Sequence, residues 1–371
     1  MNAIEPGKDW AQSPPPRRIH GFARLSRWIV PEALIPSMAA LALLTLVQAP
    51  LRAQDDNHFH AFVTALWPQA ARHGVSRATF DAALAGITPD PAILAHTQTQ
   101  AEFVKPIGDY LASAVSDDRI SRGHDAAAGW QRTLAKIESI YGVDRYTLLG
   151  VWGIESNFGA FTGNTNVIRA LATLADAGYH GDYFKGELIT ALRILEEGDV
   201  GLPGMTGSWA GAMGQTQFMP SSFIKYAVDF HGDGHKNIWT DIPDALASTA
   251  NYLARHGWIR DYTWGYEVLL PAGFDPLSEN AGRHRSFADF AAEGFSRADA
   301  ARMPTEGEAK LIMPAGRGGP AFLVTKNFSV IRSYNDSMAY ALAVGLLSDR
   351  IAGAAPLRTR WPVDEPASVV P

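Results

Sequence analysis

Apolar residues recur with a helical period along most of the chain. From residue 57 to about residue 262 they return every three or four positions, as in AFVTALWPQAA, TLAKIESIYG, ITALRILEEG and ALASTANYLARHG. This spacing places the apolar side chains on one face of a helix, and glycines separate most of the segments. The pattern therefore predicts a series of amphipathic helices.

The pattern changes at about Thr263. YEVLL, AKLIM and AFLVT are short apolar runs typical of strands, and the glycine- and proline-containing segments between them are typical of turns. SFADFAAEGF predicts a short helix in the same region, and the helical period returns in SMAYALAVGLLSDRIAG. These segments predict a mainly α fold of the α+β class, with a β-containing insertion at about 263–330 before the last helix.

The first 53 residues differ in composition from the rest. The basic, Pro-rich PPPRRIHGFARLSRW precedes the apolar LIPSMAALALLTLVQA, and the small residue Ala53 follows. This order is typical of an export signal, which predicts a periplasmic protein. An uncleaved signal that anchors the chain in the inner membrane is the alternative, although the apolar run is short for a spanning helix. The divisions are an export signal or anchor at 1–53, a folded domain at 54–353 and a Pro-rich tail at 354–371.

Composition excludes several classes of function. The chain has 371 residues, 47% of them apolar, a net charge of -6 and no cysteine. A mildly acidic chain lacks the basic surface expected of a nucleic-acid-binding protein. Without cysteine there is no disulfide, no thiolate metal site and no lipidated cysteine, so the chain is not a lipoprotein. The sequence also lacks the short motifs of zinc proteases, serine hydrolases and nucleotide-binding proteins.

A glutamate lies on the apolar face of a helix predicted over Val143 to Phe158, in the segment GVWGIESNFG. Trp152, Val151 and Leu148 precede Glu155 by three, four and seven residues, the offsets that share one face. A carboxylate on such a face is costly unless it is paired or protonated. Burial and the carboxyl end of a helix both raise the pKa of a carboxyl group, and a carboxyl group that is neutral near pH 7 is a general acid. The alternative is a buried glutamate paired with an arginine.

Two further segments contain polar side chains among glycines. GSWAGAMGQTQFMPSSF includes Ser208 and Gln217, which donate and accept hydrogen bonds, and aromatic residues that suit the apolar faces of sugars. The alternative is an ordinary Gly-rich turn. DFHGDGHKNIWTDIPD is similar to an EF-hand loop, but His231 occupies the third position and Thr240 the twelfth. Calcium binding and a metal-free turn are therefore both open.

These segments together resemble the lytic murein transglycosylase B family. The resemblance covers roughly Phe59 to Pro362 and rests on GVWGIESNFG, ALATLA, GSWAGAMGQTQFMPSS, DFHGDGH, ANYLARHGW and SYNDSMAYALAV in this order. It implies a lysozyme-like helical core with an additional helical lobe and a small β lobe. The domain at 54–353 would then be the catalytic domain.

The resemblance also implies functional residues. The catalytic glutamate of the family falls on Glu155. The substrate-binding positions fall on Ser208, Gln217, Tyr252, Tyr334, Asn335 and Tyr340. A structural Ca²⁺ would be held by Asp229, Asp233, the backbone carbonyl of His235, and Asp244.

The implied reaction cleaves the MurNAc-β-1,4-GlcNAc bond of peptidoglycan without water and leaves 1,6-anhydro-MurNAc ends. Glu155 would act first as general acid and then as general base, and no cofactor takes part in catalysis. A hydrolytic muramidase on the same fold is one alternative, and it would need a second carboxylate roughly 5 to 9.5 Å away. A non-catalytic wall-binding protein is another alternative.

The chain departs from the family pattern at two places in the domain. Tyr179 and His180 occupy positions where many members have two arginines, and His231 replaces an oxygen ligand in the calcium loop. RWPVDEP is followed by a few residues only, so no peptidoglycan-binding module is expected after it. The expected partners are peptidoglycan strands and proteins of cell-wall synthesis or secretion, and we expect a monomer.

Overall fold

The structure, a computed structural model, describes residues 57–99, 106–275 and 282–362. The predicted export signal and the last part of the tail, residues 363–371, lie outside the described residues. Within the described ranges, no helix is both long and apolar enough to cross a membrane.

Short helices form the first part of the described chain. They are α1 (57–65), α2 (Trp67–Arg72), α3 (Arg77–Leu84), α4 (Pro91–Thr99), α5 (Ile107–Ala114), α6 (Asp117–Gly129) and α7 (Gln131–Tyr141). The apolar residues of AFVTALWPQAA keep one helical period, but the segment is divided between α1 and α2. The break occurs here because Pro68 lacks the N–H that a continuous helix would need. Ser76 and Ser116 cap α3 and α6 by accepting backbone N–H bonds, so both helices begin at polar residues.

The remaining helices surround the apolar centre of the molecule. They are α8 (Arg145–Ser156), α9 (Val167–Asp176), α10 (Tyr183–Glu197), α11 (Pro220–Tyr226), α12 (Ile242–Arg255), α13 (Phe287–Ala292), α14 (Lys326–Tyr334) and α15 (Met338–Ile351). Leu148, Leu171, Leu192 and Leu246 come from four of these helices and are completely buried in one core. The apolar faces that the helical spacing predicts therefore pack together in one core.

Two glycines of α8 allow α15 to approach closely. A Cβ added at Gly150 would lie 2.2 Å from Ser348 Oγ and 2.7 Å from the carbonyl oxygen of Val344. A Cβ at Gly153 would lie 2.7 Å from a methyl group of Leu347. Near the end of α8, Glu155 contacts Tyr340 in the first turn of α15, so the end of α8 lies beside the start of α15.

The strands form two small antiparallel sheets. The first pairs β1 (Thr165–Asn166) with β2 (Thr206–Gly207). The second has the order β4-β6-β7-β3-β5 and contains β3 (Gly265–Leu269), β4 (His284–Ser286), β5 (Ser296–Arg297), β6 (Glu308–Ile312) and β7 (Ala321–Val324). The predicted strands YEVLL, AKLIM and AFLVT correspond to β3, β6 and β7, and SFADFAAEGF contains α13. The other strands are two or three residues long, too short to produce a recognisable alternation.

The first part of the tail packs on the second sheet. The backbone N–H groups of Arg358 and Thr359 each donate to the Glu267 carboxylate at 2.8 Å. The Trp361 ring is stacked on Phe322 with centroids 6.4 Å apart. Residues 354–362 contain neither helix nor strand, and these contacts hold them on the sheet.

Candidate active site

Glu155 lies in the last turn of α8. Asp144 caps the start of the helix by accepting the N–H groups of Tyr146 and Thr147. The helix ends at Ser156, earlier than Phe158, the end that the sequence pattern suggests. Asn157 adopts a left-handed backbone that asparagine tolerates, and φ stays positive through Gly159. The chain therefore turns sharply just after the glutamate.

Gln215 fastens this turn to the rest of the core. Its side-chain oxygen accepts the indole N–H of Trp152 at 2.9 Å, and its amide nitrogen donates to the Trp239 carbonyl at 2.9 Å. Ser156 Oγ donates to the backbone carbonyl of Gln215 at 2.6 Å. Sequence reasoning did not single out Gln215, because burial of one amide in a Gly-rich segment leaves no sequence signal.

The environment of Glu155 favours the protonated carboxyl group. Burial raises the pKa of Glu155 from its usual 4.5 to about 7, against a smaller lowering by the hydrogen bond from Tyr340. The Tyr340 hydroxyl donates to Glu155 Oε1 at 2.6 Å. The residue as a whole remains partly exposed, whereas its carboxyl group is shielded from water. The general-acid hypothesis therefore has a structural basis, whereas no ion pair with arginine occurs at Glu155 among the described residues.

Three tyrosines surround this carboxyl group. Burial raises the pKa values of Tyr110, Tyr334 and Tyr340, and the Glu155 charge raises each of them further. Their hydroxyl groups therefore stay neutral beside the glutamate and can donate hydrogen bonds. Tyr334 and Tyr340 are nearly parallel, at 8°, with centroids 6.5 Å apart. Tyr110 comes from α5, and sequence reasoning missed it because a residue 45 positions before Glu155 shares no motif with it.

Ser208 and Gln217 lie in the loop between β2 and α11. Ser208 Oγ accepts the Ala212 N–H at 3.0 Å, which closes a tight turn. The Gln217 amide donates to the carbonyls of Thr162 at 3.1 Å and Gly214 at 2.8 Å. Gln217 therefore links this loop to the segment that follows Glu155. A direct role of the two residues in orienting Glu155 stays a prediction, since the described hydrogen bond to that carboxylate comes from Tyr340.

Tyr252 and Asn335 lie at the junction of α12 and α14. Tyr252 is buried, donates its hydroxyl to the Ser333 carbonyl and stacks on His256 with centroids 4.0 Å apart. Asn335 is exposed, and its side chain accepts the Ser337 N–H at 3.2 Å. The Tyr334 hydroxyl donates to the Thr216 carbonyl at 2.6 Å. These bonds hold Tyr334 in place, beside Glu155.

The candidate calcium loop is closed by hydrogen bonds of its own. The Asp229 carboxylate accepts three N–H groups, from Gly232, Asp233 and Gly234, at 2.6 to 3.2 Å. The side chain of Asp233 accepts the His235 N–H at 2.9 Å.

The groups that could share a cation differ from the predicted set. The two oxygens of Asp244 accept the N–H groups of Phe230 and Asn237, both at 2.8 Å. Ligand atoms of His231, Asp241 and Asp244 lie within 4.8 Å of one another. Of the predicted ligands, this group contains Asp244 and leaves out Asp229, Asp233 and His235.

Comparison with known proteins identifies the family of the chain. The model of the Transglycosylase SLT domain family matches residues 58–349. The membrane-bound lytic murein transglycosylase B of Escherichia coli (strain K12) is 34% identical over 247 residues, 66% of this chain and 66% of the relative. The chain belongs to the lytic murein transglycosylase B family. Members of this family are peptidoglycan lytic transglycosylases, so the resemblance inferred from the motifs is confirmed.

Solved structures of the family agree with the observed fold. SltB3 from Pseudomonas aeruginosa, in complexes with NAG-NAM-pentapeptide and with NAG-anhNAM-pentapeptide, has a TM-score of 0.80 and 44% identity over 83% of this chain and 84% of that chain. The Escherichia coli lytic transglycosylase Slt35 in complex with calcium has a TM-score of 0.67 and 29% identity over 80% of this chain and 93% of that chain. The predicted lysozyme-like α+β fold, with its helical and β lobes, is thereby confirmed.

Proposed function

We propose that this enzyme cleaves the MurNAc-β-1,4-GlcNAc bond of peptidoglycan with Glu155 as both proton donor and proton acceptor. The protonated carboxyl group gives its proton to the glycosidic oxygen, and the bond from that oxygen to C1 of MurNAc breaks. The C6 hydroxyl of the same MurNAc then attacks C1, and the Glu155 carboxylate takes its proton. The products are a GlcNAc with a free 4-hydroxyl group and a 1,6-anhydro-MurNAc end, and no water is consumed.

The observation that carries this proposal is a shielded glutamate in the last turn of α8 with the Tyr340 hydroxyl 2.6 Å from its Oε1, where burial raises the pKa of Glu155 to about 7. A group with a pKa near the working pH can give a proton in one step and take one in the next. Burial raises the pKa of Glu155, and the hydrogen bond from Tyr340 lowers it by a smaller amount. A hydrolytic glycosidase needs a second carboxylate within about 5 to 9.5 Å as nucleophile or base. The complex of SltB3 with NAG-anhNAM-pentapeptide supports a mechanism that forms an anhydro end with one carboxylate rather than hydrolysis.

Tyrosine hydroxyl groups surround Glu155 in both its protonated and its ionised form. The Tyr340 hydroxyl donates to Glu155 Oε1, which stabilises the carboxylate formed after proton transfer. Tyr334 and Tyr110 remain neutral near the same carboxyl group and form the apolar, hydroxyl-bearing surroundings of the reacting sugar. Ser208 and Gln217 are assigned to the substrate's acetamido group, which stabilises the positive charge that develops at C1. The SltB3 complexes with NAG-NAM-pentapeptide and its anhydro form support peptidoglycan as the substrate.

The test is mass spectrometry of the soluble products released from purified peptidoglycan by the full chain. We expect muropeptides that end in 1,6-anhydro-MurNAc. Glu155→Gln should fold with an unchanged melting temperature and lose about 10²–10⁴ of the rate, the usual contribution of general acid–base catalysis. Glu306→Gln, at an exposed position, is the matched control and should retain full rate. Reducing ends would indicate hydrolysis, and normal turnover by folded Glu155→Gln would refute the assignment.

We also propose that the loop at 229–244 binds calcium weakly at most. His231 offers an imidazole nitrogen where the calcium loop needs oxygen. The carboxylates of Asp229 and Asp244 already accept the backbone N–H groups that close the loop. Slt35, which was solved in complex with calcium, is 29% identical to this chain. Whether the loop of this chain binds calcium therefore depends on the ligand atoms of its own residues.

Export to the periplasm remains a proposal. It rests on the charged and apolar order of residues 1–53, and the match to a membrane-bound relative is consistent with it. Fractionation of cells that produce the full chain is the direct measurement. Recovery of the mature chain with the cytoplasmic proteins would refute the proposal.

A further inference from the structure

A second group of aromatic side chains forms an open pocket beside the loop that carries Ser208. The pocket has a volume of about 550 Å³ and is lined by Tyr179, His180, Tyr183, Phe184, Trp209, Ala210 and Met219. This volume lies within the range of small-molecule sites, roughly 300–1,000 Å³. The mechanism proposed for Glu155 assigns no role to these residues.

The rings in this pocket support one another. Tyr179 contacts His180 with ring centroids 4.2 Å apart and stacks on the buried Phe184 at 5.6 Å. Tyr183 meets Phe184 edge to face at 5.0 Å. Trp209 is stacked on His96 of α4 at 5.4 Å. The aromatic surfaces are therefore held in fixed orientations before any ligand binds, which reduces the entropy cost of binding.

The chemistry of the lining favours a neutral, flat ligand. No carboxylate, lysine or arginine is among the described lining residues, and His180 carries the only imidazole. Tyr183 is 49% exposed, so a ligand in the pocket can reach its ring. Aromatic faces bind the C–H face of a pyranose ring, while hydroxyl groups of tyrosine bond to the sugar hydroxyls. A carboxylate-bearing ligand would find no permanent cation here.

The pocket also adjoins the proposed substrate cleft. Trp209 follows Ser208 directly, and Met219 follows Gln217 by two residues, so one loop supplies residues to both places. A glycan strand that passes Ser208 and Gln217 would therefore continue toward these rings. We propose that the aromatic pocket is a sugar subsite, which stacks an N-acetylhexosamine ring of the strand beyond the bond that Glu155 cuts. This inference rests on the function proposed above.

Binding without turnover tests the inference directly. The protein is full-length Glu155→Gln, and the probes are the β-1,4-linked GlcNAc hexamer and the free stem pentapeptide, each measured by calorimetry. Adding Tyr183→Ala should weaken binding of the hexamer about tenfold, or 1.4 kcal/mol. Tyr183→Leu should weaken it similarly because it keeps apolar bulk without a ring, whereas Tyr183→Phe should stay within about twofold. Ile140→Ala, which truncates an exposed apolar side chain on α7, is the matched control and should leave affinity unchanged.

Three results would overturn the subsite. They are no detectable hexamer binding, hexamer affinity that is unaffected by Tyr183→Ala and Tyr183→Leu, and loss of pentapeptide binding in place of hexamer binding. Melting temperatures of all variants confirm that each compared protein is folded. Failure of the proposed reaction would appear separately, as absence of anhydro products from the wild-type chain. Tyr183-dependent hexamer binding in such a protein would still support the sugar subsite.

Discussion

Tyr340→Phe removes one hydroxyl group from the candidate site and leaves its ring in place. In the wild type this hydroxyl donates to Glu155 Oε1 at 2.6 Å and partly offsets the effect of burial, and the two effects together give Glu155 a pKa of about 7. A hydrogen bond to a charged group is worth about 1.5–3 kcal/mol, against about 0.5–1.5 kcal/mol for a neutral pair. The difference of about 1–1.5 kcal/mol corresponds to about one pKa unit. We therefore expect the pKa of Glu155 to rise by about one unit in the variant.

The assay is the pH dependence of kcat/KM for release of anhydro-muropeptides from pH 5 to 10. The general acid must be protonated in the free enzyme, so wild-type activity should fall as pH rises through about 7. In Tyr340→Phe this alkaline limb should move upward by about one unit, and kcat should fall because the carboxylate formed in the reaction loses its donor.

Tyr334→Phe is the matched control, because its hydroxyl donates to the Thr216 carbonyl and not to Glu155. Tyr334→Phe should leave the alkaline limb of the kcat/KM profile at the wild-type pH, even if the variant is slower. A limb that stays in place in Tyr340→Phe would refute the link between Tyr340, Glu155 and proton donation.

Three further predictions concern stability. Burial raises the pKa of Asp349 to about 7, so its contribution to stability is fully present below its unfolded pKa near 4 and is lost as pH rises through about 7. Asp349→Asn should therefore raise the melting temperature at pH 8 and not at pH 4, and an equal effect at both pH values would contradict this. Gly150→Ala would place a Cβ 2.7 Å from the Val344 carbonyl and should destabilise by about 1–3 kcal/mol in urea unfolding, whereas Gly186→Ala, with open space around it, should not destabilise. Equal stability of the two alanine variants would contradict the packing argument. Calcium at 1 mM should change the melting temperature by less than about 1 °C, and His231→Asp should create a calcium-dependent rise, since it restores an oxygen ligand. A rise of several degrees in the wild type would refute the poor fit.

The local spacing of apolar residues was sufficient to predict much of the secondary structure. Apolar spacing located the helices and the strands β3, β6 and β7, because each element must direct its own apolar residues toward a core. The boundaries were less accurate. The helix that carries Glu155 ends at Ser156, since the left-handed backbone at Asn157 depends on contacts with a distant segment that includes Gln215.

The sequence by itself determined that Glu155 is unusual, because a carboxyl group at an apolar helical position is costly wherever the chain folds. Only the tertiary structure decided what surrounds it. Tyr110 and Tyr340 precede and follow Glu155 by 45 and 185 residues. Tyr340 meets Glu155 because α15 packs closely on α8 along Gly150 and Gly153, and Tyr110 comes from a third helix, α5. A raised pKa arises from the sum of burial and hydrogen bonds at one point in space. That sum depends on groups from several helices, so no single stretch of sequence contains it.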